Sequence, residues 1–303
     1  MKLAIVQTNP IFGQIEENVH AALALMKNLR SELYVLPELF NTGYNFSRKE
    51  EVAELSETDS GVTMQLVHEF AKSNSCYVVY GYAEKVQSIK VPSTEYQVQS
   101  TNYKEQEKKN LQPSTVCAKG ASAFGGNHEQ SYFNSSALVG PNGLIGVYRK
   151  VHLYYREKLF FTPGNLGFPV FELPFGKVGM MICYDWIYPE SARSLALQGA
   201  QLIAHPANLV LPYCPDAMIT RCLENRVYAA TANRVGVENR AGVNLTYIGT
   251  SQIVSNKGKI LTRCCDDKPE IAVVEVDVQQ AGNKRLNEFN DMLADRRPEQ
   301  YHL

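Results

Sequence analysis

VGMMICYDWIYPESARSLALQGA, residues 178–200, decides how the rest of the chain is read. Val178, Met180 and Ile182 alternate as in a strand, whereas Ala192, Leu195, Ala196 and Gly199 recur at helical spacing. Pro189 fits the first turn of that helix, where its missing N–H costs little. Cys183 thus sits at a tight strand-to-helix junction, where free backbone N–H groups and the helix dipole favour a thiolate. Free cysteine is also among the most buried residue types, and an inert core thiol fits the same stretch. The remaining chain has to decide between them.

Outward from this junction, strands and helices alternate. Strands are expected at 3–7, 32–40 (stopped by Pro37), 76–85, 168–174, 202–205 and 270–278. Helices are expected at 15–29, 62–73 and 217–233, with a loop at 208–216. Residues 132–140 and 144–150 flank Asn142-Gly143, a strong hairpin signal, and 246–261 forms a second hairpin about Asn256–Gly258. The order predicts a mixed sheet or two sheets with helices outside, in one integrated domain. A polar excursion is expected at about 87–131, whose Ser, Gln, Lys, Asn and Glu add little core. The charged tail from about 280 is expected to lie across a surface.

Composition narrows the class. The 303 residues carry 45% apolar and 20% charged side chains with a net charge of −1, which gives no basic surface for nucleic acid or anionic membrane. No apolar run approaches the roughly 18 residues of a membrane span, and MKLAIVQTNP reads as a buried strand, not a signal peptide. Seven cysteines, an odd number without CxxC or Cys/His zinc spacing, suit reduced thiols in a cytoplasmic protein with no metal or cofactor.

Glu38, Lys150 and Cys183 each end an apolar strand, and ligand sites of α/β folds gather beyond strand ends. The set is chemically coherent: a carboxylate to take the thiol proton, an ammonium to hold developing negative charge, and a thiolate nucleophile. A solvated strand-end glutamate or lysine is the plainer alternative for each alone.

LPELFNTGY around Glu38, YRKVHLYYREKLFFTPG around Lys150 and MICYDWIYPESAR around Cys183 resemble the nitrilase superfamily of carbon–nitrogen hydrolases. HPANLVLPY, ENRVYAATANR and the DRRPE tail extend the likeness over nearly the whole chain. The resemblance implies an α/β fold, a four-layer α-β-β-α sandwich with mixed sheets, in a single domain spanning 1–303 that pairs as a homodimer. It implies Glu38 as general base, Lys150 as cationic stabiliser, Cys183 as nucleophile and Glu157 as the second glutamate. The backbone N–H of Tyr184 would complete an oxyanion hole. Tyr44, Tyr154, Tyr155, Trp186 and Tyr213 are expected to crowd a small pocket, with Asn208 as a further substrate contact. His152 and His205 read as supporting residues, and Cys214 and Cys222 as packing. The Cys183-Tyr184-Asp185-Trp186 run departs from the Cys-Trp-Glu of the nitrilase branch. That favours amide or carbamoyl substrates, with small nitriles as the alternative and a non-catalytic binding protein on the same fold as a third possibility.

Overall fold

The structure, a computed structural model, describes residues 1–87 and 130–301. The polar excursion expected at about 87–131 therefore lies outside the described residues, apart from its ends.

The first half builds β1 (Lys2–Gln7), α1 (Ile15–Met26), β2 (Leu33–Val35), α2 (Lys49–Leu55), α3 (Val62–Asn74) and β3 (Tyr77–Gln87). The hairpin β4 (Gln130–Gly140) and β5 (Gly143–Arg149) follows. Then come β6 (Val170–Leu173), β7 (Gly176–Met180), α4 (Pro189–Leu197), β8 (Leu202–Pro206), α5 (Cys214–Asn225) and β9 (Tyr228–Ala232). The hairpin β10 (Val237–Arg240) and β11 (Val243–Thr246) precedes β12 (Gln252–Val254), β13 (Ile260–Arg263) and β14 (Glu270–Glu275).

Two six-stranded sheets result, ordered β14-β1-β2-β3-β4-β5 and β13-β12-β9-β8-β7-β6. In each, three successive strands run parallel (β1-β2-β3 and β7-β8-β9), while β14 and β12 join antiparallel. Parallel strands must be covered on both faces, and the alternation in β1 records it. Leu3 and Ile5 enter a core shared with Val178, Met180, Leu202 and Ala204 of the other sheet. Ala4 and Val6 face outward onto Val19, Ala22 and Met26 of α1 and Val67 and Phe70 of α3. On the second sheet, α4 comes so close that a Cβ at Gly179 would lie 2.8 Å from Leu195 Cδ2. The architecture is the four-layer α-β-β-α sandwich, with mixed sheets.

Two local readings need correction. The helix expected over 217–233 is α5, ending at Asn225, followed by strand β9. Arg226 closes the helix at φ +47°, and Tyr228–Ala232 is buried throughout between β8 and β12. The loop expected at 208–216 ends early, because α5 starts at Cys214 with Pro215 in its first turn. Helix α2 and the hairpin β10–β11 are additional elements. The tail bears exposed apolar groups, Leu286 at 59% and Phe289 at 83%. Lys284 anchors its start, donating to the carbonyls of Asn225 and Arg226 at 3.0 Å each.

Candidate active site

Backbone geometry brings four reactive side chains to one end of the two sheets. Glu38 follows β2, where Pro37 has ended the strand and Leu39 turns the chain at φ +47°. The neighbouring strand passes so near that a Cβ at Gly81 would lie 2.5 Å from Glu38 Cα. Lys150 follows β5 and is held there by hydrogen bonds from its own N–H to Asn134 O and from the Gly164 N–H to its carbonyl, both 2.8 Å. Glu157 lies in the 3-10 turn Tyr155–Leu159. Two residues separate the end of β7 from Cys183, which opens the 3-10 turn Cys183–Ile187 at φ +42°. That left-handed conformation is rare for a residue with a side chain and persists only where the surroundings impose it.

The four are buried together. Lys150 Nζ donates to Glu38 Oε1 at 2.6 Å and to Glu157 Oε1 at 2.8 Å. Asn134 Nδ2 donates to Glu38 Oε1 at 2.7 Å, and the Tyr44 hydroxyl donates to Glu157 Oε1. Glu38 Oε2 is buried and has no partner among the described residues, so that oxygen of the carboxylate is free to accept a proton. Burial, and then Glu38, push the Cys183 thiol well above its usual range, while Lys150 pulls the other way. The thiol therefore rests protonated and requires a base. Burial would lower the Lys150 ammonium, but Glu157 and Glu38 outweigh it and raise it. Burial raises Glu157 to about 7, against the opposing pull of Lys150.

The cavity that exposes Cys183 is small, about 290 Å³ with its open mouth included. Tyr154, Tyr184, Trp186, Asn208 and Leu209–Leu211 line it. Tyr44 lies beneath, buried against Glu157. Tyr155 and Tyr213, expected to crowd it, do not line it and are 57% and 63% exposed, whereas Tyr154 does. Asn208 donates from Nδ2 to Glu38 O at 2.8 Å, and its backbone carbonyl lies 3.8 Å from Cys183 Sγ. Tyr184 is the second residue of its turn, where N–H groups lack intrahelical acceptors.

Both histidines are tied into the structure around the cysteine turn. His205 Nε2 lies 3.0 Å from Cys183 O and Nδ1 3.0 Å from Thr231 Oγ1, and burial lowers it to about 4. His152 lies 2.7 Å from Asp185 Oδ1 and stacks on Tyr188. Cys214 and Cys222 are buried packing thiols, raised by burial alone.

Several residues of the site escaped the sequence reading. Asn134 bridges the two glutamates from β4; its only signal was an asparagine in an apolar strand. Asp185 is fully buried and accepts from Ile182 N at 2.8 Å and Tyr148 OH at 2.6 Å, which ties the cysteine turn to the strand preceding Lys150. Among the described residues, no group of three or more His, Cys, Asp or Glu could hold a metal ion.

The sequence model of one family, described as carbon-nitrogen hydrolase, matches residues 2–285. A protein of Pyrococcus abyssi named nitrilase is 42% identical over 99% of each chain. A solved carbon–nitrogen hydrolase from Helicobacter pylori G27 superposes with a TM-score of 0.77 at 23% identity, over 99% of this chain and 97% of that one. A solved mutant amidase from Nesterenkonia sp. AN1 superposes with a TM-score of 0.67 at 22% identity, over 99% and 97% of the two chains. In that structure acrylamide has added to the active-site cysteine.

Proposed function

This chain belongs to the carbon–nitrogen hydrolase family, and from that premise we propose that it releases ammonia from small amides or carbamoyl compounds through Cys183. The observation that carries the reading is the Lys150 ammonium bridging Glu38 and Glu157 in the same buried cluster as the Cys183 thiol.

Glu38 takes the thiol proton as Sγ attacks the substrate carbon. The oxyanion forms against the Lys150 ammonium and the Tyr184 N–H. Collapse breaks the C–N bond, and the proton held by Glu38 leaves with the nitrogen as ammonia. Water then attacks the thioester, giving its proton to Glu38, and the acid and the free thiol are restored. Glu157 orients Lys150 and offsets its charge, and Tyr44 in turn holds Glu157. Asn208, Trp186 and Tyr154 shape a cavity suited to small substrates.

A second reading, hydrolysis of small nitriles, is favoured by the full-length likeness to the Pyrococcus abyssi nitrilase. The same thiolate would add to the nitrile carbon, and two waters would be consumed on the way to acid and ammonia. The fold itself is proposed to be a single domain with a polar insertion at about 87–131, working as a cytoplasmic homodimer. All six cysteines among the described residues are free, which suits a reducing compartment. No helix among the described residues is long and apolar enough to cross a membrane.

Ammonia release from a panel of small amides, N-carbamoyl compounds and nitriles, with Cys183→Ala as control, tests both readings. Release from amides that vanishes in the variant is expected. Release from nitriles alone would transfer the assignment to the second reading, and none from any member would overturn both. Light scattering at micromolar concentration tests the dimer.

A further inference from the structure

A second buried charge cluster lies behind the site, and the proposed chemistry does not use it. Glu238, on β10, is buried and paired with the buried guanidinium of Arg234. The ion pair leaves acceptor capacity on the carboxylate, and that capacity is directed at the loop after Glu38. Tyr44 N–H donates to both oxygens at 3.2 Å, and Asn45 N–H donates to Oε2 at 2.6 Å. The Tyr247 hydroxyl reaches Oε2 at 3.4 Å, and its ring meets that of Tyr44 edge to face. Gly43 permits this approach: it sits at φ +79°, and a Cβ there would lie 2.9 Å from Glu238 Oε1.

We propose that Glu238 is a positioning residue, which fixes the backbone of Tyr44 and Asn45 so that the Tyr44 hydroxyl stays on Glu157. The inference rests on the role proposed above for Glu157. The path is continuous, from Arg234 through Glu238, the Tyr44 backbone and its hydroxyl to Glu157 and Lys150. A buried carboxylate needs donors on its remaining lone pairs, and here those donors are two consecutive N–H groups of the segment that carries Tyr44. Because a charged hydrogen bond stabilises the ionised form, releasing the Tyr44 hydroxyl moves the protonation of Glu157 to higher pH. The groups that face Glu157 are Lys150, Glu38, Tyr44, Tyr154 and Cys183, with the Asn134 amide 3.4 Å from its Oε2. Arg234, Tyr247 and the two loop N–H groups face Glu238.

The test is the pH dependence of acrylamide alkylation, followed at the Cys183 peptide by mass spectrometry, which requires no turnover. Tyr44→Phe and Glu238→Ala should each move the limb near pH 7 upward by about one unit. The double variant should move it no further than the larger single change. If Glu238→Ala does not fold, Glu238→Gln replaces it; one carbonyl oxygen then serves two N–H groups, and a smaller shift of the same sign is expected. A folded variant whose limb coincides with wild type, or single shifts that add in the double variant, would overturn the role of Glu238. A wild-type limb that Glu157→Gln leaves in place would instead overturn the reading of Glu157, so the two failures are distinguishable.

Discussion

Asn208 donates its side-chain N–H to the backbone carbonyl of Glu38 at 2.8 Å, joining a loop of the cysteine-bearing sheet to the carboxylate-bearing loop of the other. Glu38 and Cys183 follow strands of different sheets, so their spacing depends on such ties. The Asn208 carbonyl also faces Cys183 Sγ at 3.8 Å, which places this one residue against both. Asn208→Leu should lower kcat/KM by about 10²-fold, the scale of a displacement near 1 Å between reacting groups. Its melting temperature should change little by comparison. Steady-state kinetics beside thermal melts checks this; a variant with wild-type kcat/KM would remove Asn208 from the site.

Glu157 and His205 pull the pH dependence of stability in opposite directions. Burial raises Glu157 to about 7 from an ordinary 4.5, so the native protein keeps a proton that the unfolded chain has released. That contribution is complete below pH 4.5 and is lost as the pH rises to 7. Burial lowers His205 to about 4 from an ordinary 6.5, so on acidification the unfolded chain takes up its proton first. Its contribution is present above pH 6.5 and is lost as the pH falls to 4. Each is worth about 3 kcal/mol at most. Between about pH 5 and 6.5, Glu157→Gln should therefore melt at rising temperature with rising pH relative to wild type. His205→Asn should show the reverse. Two variants that parallel the wild-type curve would refute both assignments.

Substrate size should depend on Tyr154 and not on Tyr155. Tyr154 lines the cavity and packs on Tyr184 with ring centroids 5.1 Å apart. Tyr155 begins its 3-10 turn at φ +48° and exposes 57% of its surface. Tyr154→Ala should extend activity toward longer acyl chains, whereas Tyr155→Ala should leave the chain-length profile unchanged. A profile shifted by Tyr155→Ala would mean that its ring reaches the substrate.

The alternation of strands and helices was legible because each signal was local, whereas the four-layer arrangement came from the family resemblance of the separated motifs. Leu3 to Val6 read as a strand, Asn142-Gly143 as a hairpin turn, and Glu38, Lys150 and Cys183 as strand-end groups. What failed depended on tertiary context. Tyr228–Ala232 is alanine-rich and favours a helix by propensity, yet burial between two neighbouring strands makes it β9. Asn134 and Glu238 hydrogen-bond with partners 96 and 193 residues away, separations that no periodicity encodes. Tyr154 and Tyr155 are adjacent and chemically identical; a backbone turn, not their identity, decides which one faces the cavity.

Gly81 should be as necessary to catalysis as a residue with a functional group. The Gly81 N–H donates to Pro37 O at 3.1 Å and its carbonyl accepts from the Phe40 N–H at 3.2 Å, so β3 grips the turn that presents Glu38 from both sides. A methyl group at position 81 would lie 2.5 Å from Glu38 Cα and 2.8 Å from Leu39 N, and both are backbone atoms that no rotamer change can clear. The turn itself must move, and Leu39 already holds it at φ +47°. Gly81→Ala should thus cost about 1–3 kcal/mol in stability, the usual range for overpacking. Its kcat should fall by about 10²-fold as Glu38 is displaced from its place against Lys150. Denaturant melts and kinetics on the same preparation separate the two effects. A stable variant with wild-type kcat would mean that the turn accommodates the methyl group without displacing the base.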